Sequence, residues 1–488
     1  MRRNLVAIVA VAVLALPTVA LASTYTAGTA VQANLATSPL TGFLCAPVGP
    51  GTSYPNTELE PWLAVNPTDP LNVVGTWQQD RYSGGASKGS SVGVSLNGGK
   101  TFTQISVPGL TKCTGGTVFE RASDPWLSFS PSGTLFAMSL VETKLATGVN
   151  NPSGMAVSRS VDKGFTWSAP TFVILDTDPT KFNDKNSLTA DPTNSNFAYA
   201  IWDRLDAPIG NGSLSSGENA AGYRGPTWFA RTTDGGLTWE PARQIFAPGN
   251  NDQTIGNQIV VLPNGTLLDV FTLIHNDNKM KVQGLSLAAI TSTDHGATWS
   301  SRPTIISTIS DVAITDPDTG AAVRSGDDLA EVAVDRAGGK VYVVWQDGRF
   351  SGKGEVAFSQ SADGGTSWSS PIRIAGSPGV QSFTPGVAVA SNGTVGVSYF
   401  DFRNNVAGGG ATTDLWLAHC HSSCTSAASW TSSHAYGPFN LENAPVARGY
   451  FLGDYQGIAA VGQSFLLMDA VAGSSANSSD IVFVKVSP

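Results

Sequence analysis

The chain has 488 residues, of which 13% are charged and 41% hydrophobic, with 53 Gly, 28 Pro and a formal charge of −9. So few charges beside so much glycine exclude coiled coil and long solvated helices, while 12 Trp, 10 Tyr and 21 Phe exclude a disordered chain. An acidic balance offers no electrostatic footprint for nucleic acid or anionic lipid.

In chain order, residues 1–22 read as a signal peptide. Arg2 and Arg3 form a positive start, Leu5 to Leu16 is an apolar run, and Ala20-Leu21-Ala22 matches a small-x-small cleavage site. The run is shorter than the roughly 20 residues that span a bilayer, and Pro17 interrupts it. The expectation is a secreted protein with no membrane span. Removing the peptide takes away two arginines and no acid, which makes the mature chain more acidic still. Residues 23–60 form an N-terminal segment and 61–488 the body of the protein.

From residue 95 onward an eight-residue pattern, Ser/Thr-x-Asp-x-Gly-x-Thr-Trp, recurs with small variations. The copies are Ser95-Leu-Asn-Gly-Gly-Lys-Thr-Phe102, Ser160-Val-Asp-Lys-Gly-Phe-Thr-Trp167, Thr232-Thr-Asp-Gly-Gly-Leu-Thr-Trp239, Ser292-Thr-Asp-His-Gly-Ala-Thr-Trp299 and Ser361-Ala-Asp-Gly-Gly-Thr-Ser-Trp368. Asn97, Asp162, Asp234, Asp294 and Asp363 therefore recur at intervals of 60 to 72 residues. The chemistry is that of a hairpin: the carboxylate accepts turn N–H groups, Gly supplies positive φ, and the aromatic packs beneath. Repetition favours a structural role for these acids over catalysis or calcium binding.

Around each box lie four strand-length runs, clearest as Leu329–Val334, Val341–Trp345, Glu355–Ser359 and Pro371–Ile374. Comparable first strands begin near Trp62, Trp126, Ser187, Gln258, Leu329, Gly386 and Gln456, which makes seven units. In the sixth, Cys420 and Cys424 replace the Asp turn and read as a local disulfide, leaving Cys45 with Cys113 as a longer tie. The seventh has three strands and then ends, so the segment between Thr24 and Cys45 is expected to supply its fourth. The predicted fold is all-β: one β-propeller of four-stranded antiparallel blades, with seven blades favoured over six, closed by the N-terminal segment.

Strand parity puts the boxes on one face of the disc and the starts of first strands, with the ends of second strands, on the other. That second face carries Arg81, Arg204, Arg349 and Arg403, each near an Asp, together with Glu60, Asp124, Gln258, Asp327, Asp328, Asp454 and Tyr455. Two readings compete for the arginines. Each is either held by a local ion pair or part of a group that grips an anionic ligand bidentately. The long stretches Asp203 to Gly225 and Ser307 to Asp327 on this face are expected to be recognition loops. Asp311, Asp316 and Asp318 offer a calcium site, against which a solvated acidic turn is favoured; no other metal or cofactor is called for. Asn-Gly at 264–265 and 392–393 marks hairpin turns.

The boxes and their spacing resemble those of the Asp-box (BNR-repeat) propellers, whose best-known enzymes are bacterial sialidases. The resemblance covers nearly all of the mature chain. It implies a secreted exo-α-sialidase-type glycoside hydrolase in which arginines hold a sugar carboxylate, a Tyr activated by Glu attacks the anomeric carbon, and an Asp serves as acid/base. The segment Val343-Val-Trp-Gln-Asp-Gly-Arg349 looks like the family's strand ending in Glu-Gly-Arg, which makes Arg349 the carried-over carboxylate ligand and Arg81, Arg204 and Arg403 its repeat equivalents. Tyr455 or Tyr399 would be the nucleophile, Glu60 or Glu331 its partner, and Asp124 or Asp328 the acid/base. The chain departs from the pattern at Glu60-Pro61-Trp62, where the family has Arg-Ile-Pro, and in its seven units. A non-catalytic glycan- or protein-binding propeller and a polysaccharide lyase using His275 are the alternatives. The expected partner is a glycan or glycoconjugate, engaged by a monomer.

Overall fold

The structure is a computed structural model that describes residues 24–144, 150–206, 224–249, 252–276 and 282–488. The proposed signal peptide and most of the loop expected between Asp203 and Gly225 lie outside these residues. No helix among them is long and apolar enough to cross a membrane. The described chain is nearly all strand, arranged as antiparallel sheets of which four have four strands each. The first two units are joined into one eight-stranded sheet by a single pairing, Ser87 with Ala122. At the other end of the chain, Gly457–Val461, Ser464–Ala472 and Ser479–Ser487 form a sheet whose outer edge is completed by Thr26–Ala27 and Val31–Gln32.

Each first strand is in contact with the next. The succession runs Glu58–Val65, Arg121–Phe129, Lys181–Ala190, Gln253–Val261, Ala330–Val334, Ser382–Val389 and Gly457–Val461, which returns to Glu58–Val65. Together they enclose a channel of about 490 Å3.

The five repeated turns share one hydrogen-bond network. In the second, Ser160 donates to Asp162 Oδ1 at 2.8 Å, Thr166 N–H to the same oxygen at 2.8 Å, and the Thr166 hydroxyl to Oδ2 at 2.7 Å. Equivalent bonds reach Asp234, Asp294 and Asp363, whose carboxyls the hydroxyls of Thr238, Thr298 and Ser367 hold down at about 2. Asn97 keeps the acceptor oxygen for Thr101 N–H and donates its amide to the Thr101 hydroxyl at 2.8 Å. The turns also join sheets. A Cβ on Gly236 would meet Phe136 of the preceding sheet, one on Gly296 would meet Phe229, and one on Gly99 would meet Phe483. The terminal aromatics follow: Trp239 packs edge-on to Phe136, Trp299 to Phe229, and Phe102 against Phe483.

Both expected disulfides, Cys45 with Cys113 and Cys420 with Cys424, are formed. The second stands where the sixth turn lacks its Asp. There Trp430 donates to the Cys424 carbonyl at 2.9 Å and packs edge-on to Phe358 of the sheet before it.

Five first strands begin several residues earlier than expected, because each contains a β-bulge. The pairing register shifts between Leu59 and Trp62, Ser123 and Trp126, Asp184 and Ser187, Ile255 and Gln258, and Phe383 and Gly386. At each bulge one residue takes positive φ: Glu60 (52°), Asp124 (49°), Lys185 (46°), Gly256 (68°) and Thr384 (48°). Left-handed backbone is costly for a residue with a side chain. A bulge re-aims side chains, and here three of the five residues, Glu60, Asp124 and Lys185, carry charge.

Asp162→Ala removes three hydrogen bonds from its turn and should cost about 1–3 kcal/mol. Asp162→Asn, which can copy the arrangement at Asn97, should cost less. Urea unfolding of the two variants, with Ala no worse than Asn, would contradict this account of the turn.

Candidate functional site

The bulges bring three charged residues together. Glu60 and Asp124 come from neighbouring first strands and Lys185 from the third, and all three are buried. Lys185 Nζ lies 2.5 Å from Asp454 Oδ2 and 3.9 Å from Asp124 Oδ2. Arg324 forks onto Asp454 from the other side, with Nε 2.8 Å from Oδ1 and a second contact to Oδ2. Gln78 donates to Glu60 and, at 3.0 Å, to Ser123, whose hydroxyl donates to Asp124 at 2.7 Å. Arg81 completes the group by donating to Gln78 Oε1 at 2.5 Å. The network thus links Glu60, Asp124, Lys185, Asp454, Arg324 and Arg81 without a gap.

Burial sets the electrostatics. Burial first, and then the Asp124 carboxylate, push the Glu60 carboxyl up to about 8. Burial also works against charge on Asp454, yet Arg324 and Lys185 overcome it and hold that carboxyl well below the usual range. Burial lowers the Arg81 guanidinium, and burial together with Asp311 raises Asp327 to about 6. Glu331 is pushed up to about 8 by burial and accepts from Gln258 at 3.0 Å.

The cluster is roofed and floored. Above it, Ala322–Arg324 pairs in parallel with Tyr450–Phe451, and Ile314–Thr315 completes this small sheet. The Phe451 ring lies between the Arg81 and Arg324 guanidiniums, at 5.1 and 4.2 Å. On the channel side Trp62 and Trp126 stack at 3.6 Å, with Tyr455 edge-on to both.

Of the residues expected at the site, Glu60, Asp124, Arg81 and Tyr455 come together and Asp328 is buried in the segment just before Ala330. Tyr455 donates its hydroxyl to the Pro125 carbonyl at 3.3 Å rather than to Glu60, and burial raises it well above the usual tyrosine range. Tyr399 lies elsewhere, accepting from Arg403 at 2.7 Å and sharing a bond with Ser432.

Three of the four expected arginines do not reach the cluster. Arg349 is exposed, pairs with Asp347 at 2.8 Å and bonds Ser307 on the neighbouring sheet. Arg204 forks onto Asp176 and lies over Trp228 at 4.5 Å. Arg403 pairs with Asp401 at 2.6 Å and stacks on Trp416 at 3.6 Å. For these three the local ion pair is the observed arrangement. Arg81 differs because its neighbour Asp80 is engaged by Lys88 at 3.0 Å and by Asn56 N–H, so the guanidinium turns inward.

Lys185 and Arg324 were not anticipated. Lys185 had a signal, since Lys185-Asn186-Ser187 occupies the place of Glu60-Pro61-Trp62 and Asp124-Pro125-Trp126. Arg324 comes from the stretch read as a recognition loop. His275 shares a bond with Ser286 at the end of its strand. Among the described residues no group of three or more His, Cys, Asp or Glu side chains is placed to hold a metal ion. Asp316 instead accepts from Asp318 and Thr319 within its own turn.

No family model matches the chain, and no curated protein does. Among solved structures it is similar to the Hadza microbial sialidase Hz136, at 17% identity over 86% of this chain and 74% of that one, with a TM-score of 0.48. It is also similar to the α-L-arabinofuranosidase arb93a from Fusarium graminearum, at 13% identity over 88% and 92% of the two chains and a TM-score of 0.44. A third is the intramolecular trans-sialidase from Ruminococcus gnavus, at 14% over 90% and 96%, with a TM-score of 0.42.

Two outcomes are expected from the cluster. Asp454→Asn leaves Lys185 and Arg324 buried without their anion and should destabilise the protein by about 3–5 kcal/mol. Because the Glu60 carboxyl stands at about 8 when folded against 4.5 as its ordinary value, its contribution is complete below about pH 4.5 and is lost as pH rises through 8. Unfolding midpoints should therefore fall between pH 5 and 8, with a shallower slope in Glu60→Gln; an unchanged slope in the variant would remove Glu60 from the account.

Proposed function

We propose that the chain is an exported Asp-box propeller of seven blades, closed by Thr26–Ala27 and Val31–Gln32, and a sialidase-like glycoside hydrolase acting on terminal acidic sugars of glycans. The observation that carries the reading is the placement of Glu60 and Asp124 on neighbouring first strands, joined through Gln78 and Ser123 and flanked by Lys185, Arg81 and Arg324. A carboxyl raised to about 8 keeps its proton at neutral pH, which is what a general acid at a glycosidic oxygen needs. Asp124 is the second carboxylate of the pair, placed to act on the anomeric carbon or on water. Arg81 and Arg324 supply cations for a sugar carboxylate. The Trp62–Trp126 stack and Tyr455 give the apolar surface against which a ring can lie. Two disulfides fit the oxidising compartment this requires.

One observation favours a second reading, a non-catalytic glycan-binding propeller. Glu60 and Asp124 are 1% and 3% exposed beneath the small sheet, so the same charges serve equally as a plug that fixes the first strands. Hydrolysis separates the two. A fluorogenic sialoside should be turned over, at a rate that declines above about pH 8 as Glu60 loses its proton, and Glu60→Gln should lower kcat by 100-fold or more, the low end of general-acid contributions. Release from an arabinofuranoside instead would keep the carboxylate pair and remove the acidic sugar. No release from any glycoside, with binding retained, would establish the second reading.

A further inference from the structure

The fourth unit departs from its neighbours at the end of its second strand. Near that point units one, three, five and six carry an aspartate with an arginine one or two residues after it, whereas Leu267–Asn276 ends in His275-Asn276 and holds no arginine. Two further side chains converge on the imidazole. Ser286 stands on the third strand, Val282–Ser292, directly opposite Leu273, so its side chain emerges on the same face of the sheet as those of Leu273 and His275. Asp252 precedes the first strand, Gln253–Val261, which pairs with the other edge of Leu267–Asn276.

The contacts put the three in order. Ser286 Oγ and His275 Nε2 lie 3.2 Å apart. Asp252 Oδ1 accepts the Asn276 N–H at 3.0 Å, and Oδ2 faces the other imidazole nitrogen, Nδ1, at 3.8 Å. A carboxylate on that side favours the tautomer with its proton on Nδ1, which leaves Nε2 to accept from the serine hydroxyl. Contacts of this kind tighten once substrate is bound. A purely structural role would be met by an arginine and an aspartate, as in the other units. An imidazole between a carboxylate and a hydroxyl adds a group that can take a proton and return it.

The group is open to solvent on one side. The His275 side chain is 40% exposed and that of Asp252 25%, while Ser286 is 7% exposed. Gly284 pairs with His275, and a side chain there would meet open space. Leu273, opposite the serine, belongs to an apolar cluster with Phe246, Phe271 and Ala288.

We propose that Ser286, His275 and Asp252 form a second catalytic site, an esterase that removes acetyl and acyl groups of similar size from hydroxyls. Ser286 Oγ attacks the ester carbonyl while its proton passes to His275 Nε2. The tetrahedral adduct collapses, the bond from the carbonyl carbon to the alcohol oxygen breaks, and His275 returns the proton to that oxygen. Water then attacks the acyl-serine, again giving a proton to His275. The acid leaves and the proton goes back to Ser286 Oγ, so that ester and water have become acid and alcohol. Asp252 is the positioning residue, holding the tautomer and balancing the imidazolium. A low-lying serine beside the gap at Gly284 suits a short acyl chain, with Leu273 as its apolar wall and the alcohol portion in solvent. None of this draws on Glu60 or Asp124, and it stands whether or not the chain cleaves glycosides.

The test uses the full mature chain with methylumbelliferyl acetate, and separately with a fluorophosphonate, which phosphonylates an activated serine with loss of fluoride. Acetate hydrolysis should fall by about 100-fold or more in Ser286→Ala and in His275→Gln, with an intermediate loss in Asp252→Asn. The decanoate of the same fluorophore should be turned over more slowly than the acetate by about tenfold or more. The fluorophosphonate should mark Ser286 in a peptide identified by mass spectrometry, and this readout on the unsubstituted chain decides the question even where a variant folds poorly. Acetate hydrolysis that survives Ser286→Ala, or a Ser286 left unmarked, overturns the proposal. Equal turnover of acetate and decanoate overturns the restriction to small acyl groups.

Discussion

Every sheet in this protein has two faces to bury and, among the described residues, no long helix to cover either. The constraint is met by docking each sheet on the next, and the repeated turns are where the docking is fixed. A glycine with positive φ brings the turn close enough to touch an aromatic or aliphatic side chain of the neighbouring unit, and the Asp network holds the turn in that shape. Gly99 against Phe483 is the same contact made between the first unit and the last. Sheets held this way direct their first strands to a common centre, where side chains such as Ser187, Thr189 and Gln258 bond the edge of the next strand and the strands become the channel wall. The sixth unit makes the point by exception: a disulfide replaces the Asp, yet Trp430 still reaches Phe358.

What stands at the centre follows from the bulges. A straight strand would send Glu60, Asp124 and Lys185 into the cores between sheets, where an unpaired charge is costly. The left-handed residue redirects each towards the others, and the group then compensates itself. Asp454 is the pivot, since it meets both Lys185 and Arg324 directly. Burial and the neighbouring Asp124 raise the Glu60 carboxyl, and Lys185 and Arg81 offset only part of that rise.

The turns, the disulfide between Cys420 and Cys424, and most second and third strands were legible in the sequence. Each depends on local chemistry: a carboxylate with a glycine two residues on, alternating apolar residues, two cysteines four apart. The bulges were not legible as bulges, because four of the five left-handed residues are Glu, Asp, Lys and Thr rather than Gly. A trace existed in Glu60-Pro61, Asp124-Pro125 and Thr384-Pro385, three matching pairs at matching places. The arginines misled for a related reason. Repetition gives each the same surroundings, so Arg349 and Arg403 each close on an Asp two residues before them, and such a pair is complete within its own sheet. Arg81 reaches the centre only because Lys88 and Asn56 engage Asp80, a contact that no repeat pattern predicts.

The repeat also explains why function concentrates where it fails. Positions that recur from unit to unit, such as the box acids, are saturated by their own turns and have nothing left to offer a ligand. Positions that differ from unit to unit are free of that duty. At the bulge level the successive residues are Glu, Asp, Lys, Gly and Thr, a mixture that lets opposite charges meet across the ring. At the far rim Pro67, Pro131, Pro192 and Pro263 of the first four units give way to Arg336 in the fifth. Seven similar strands therefore enclose a channel that is asymmetric both around its axis and along it. The chemistry at its two ends, a buried network of paired charges and a rim that carries Arg336 where other units have proline, belongs to the differences between units rather than to the repeat that builds them.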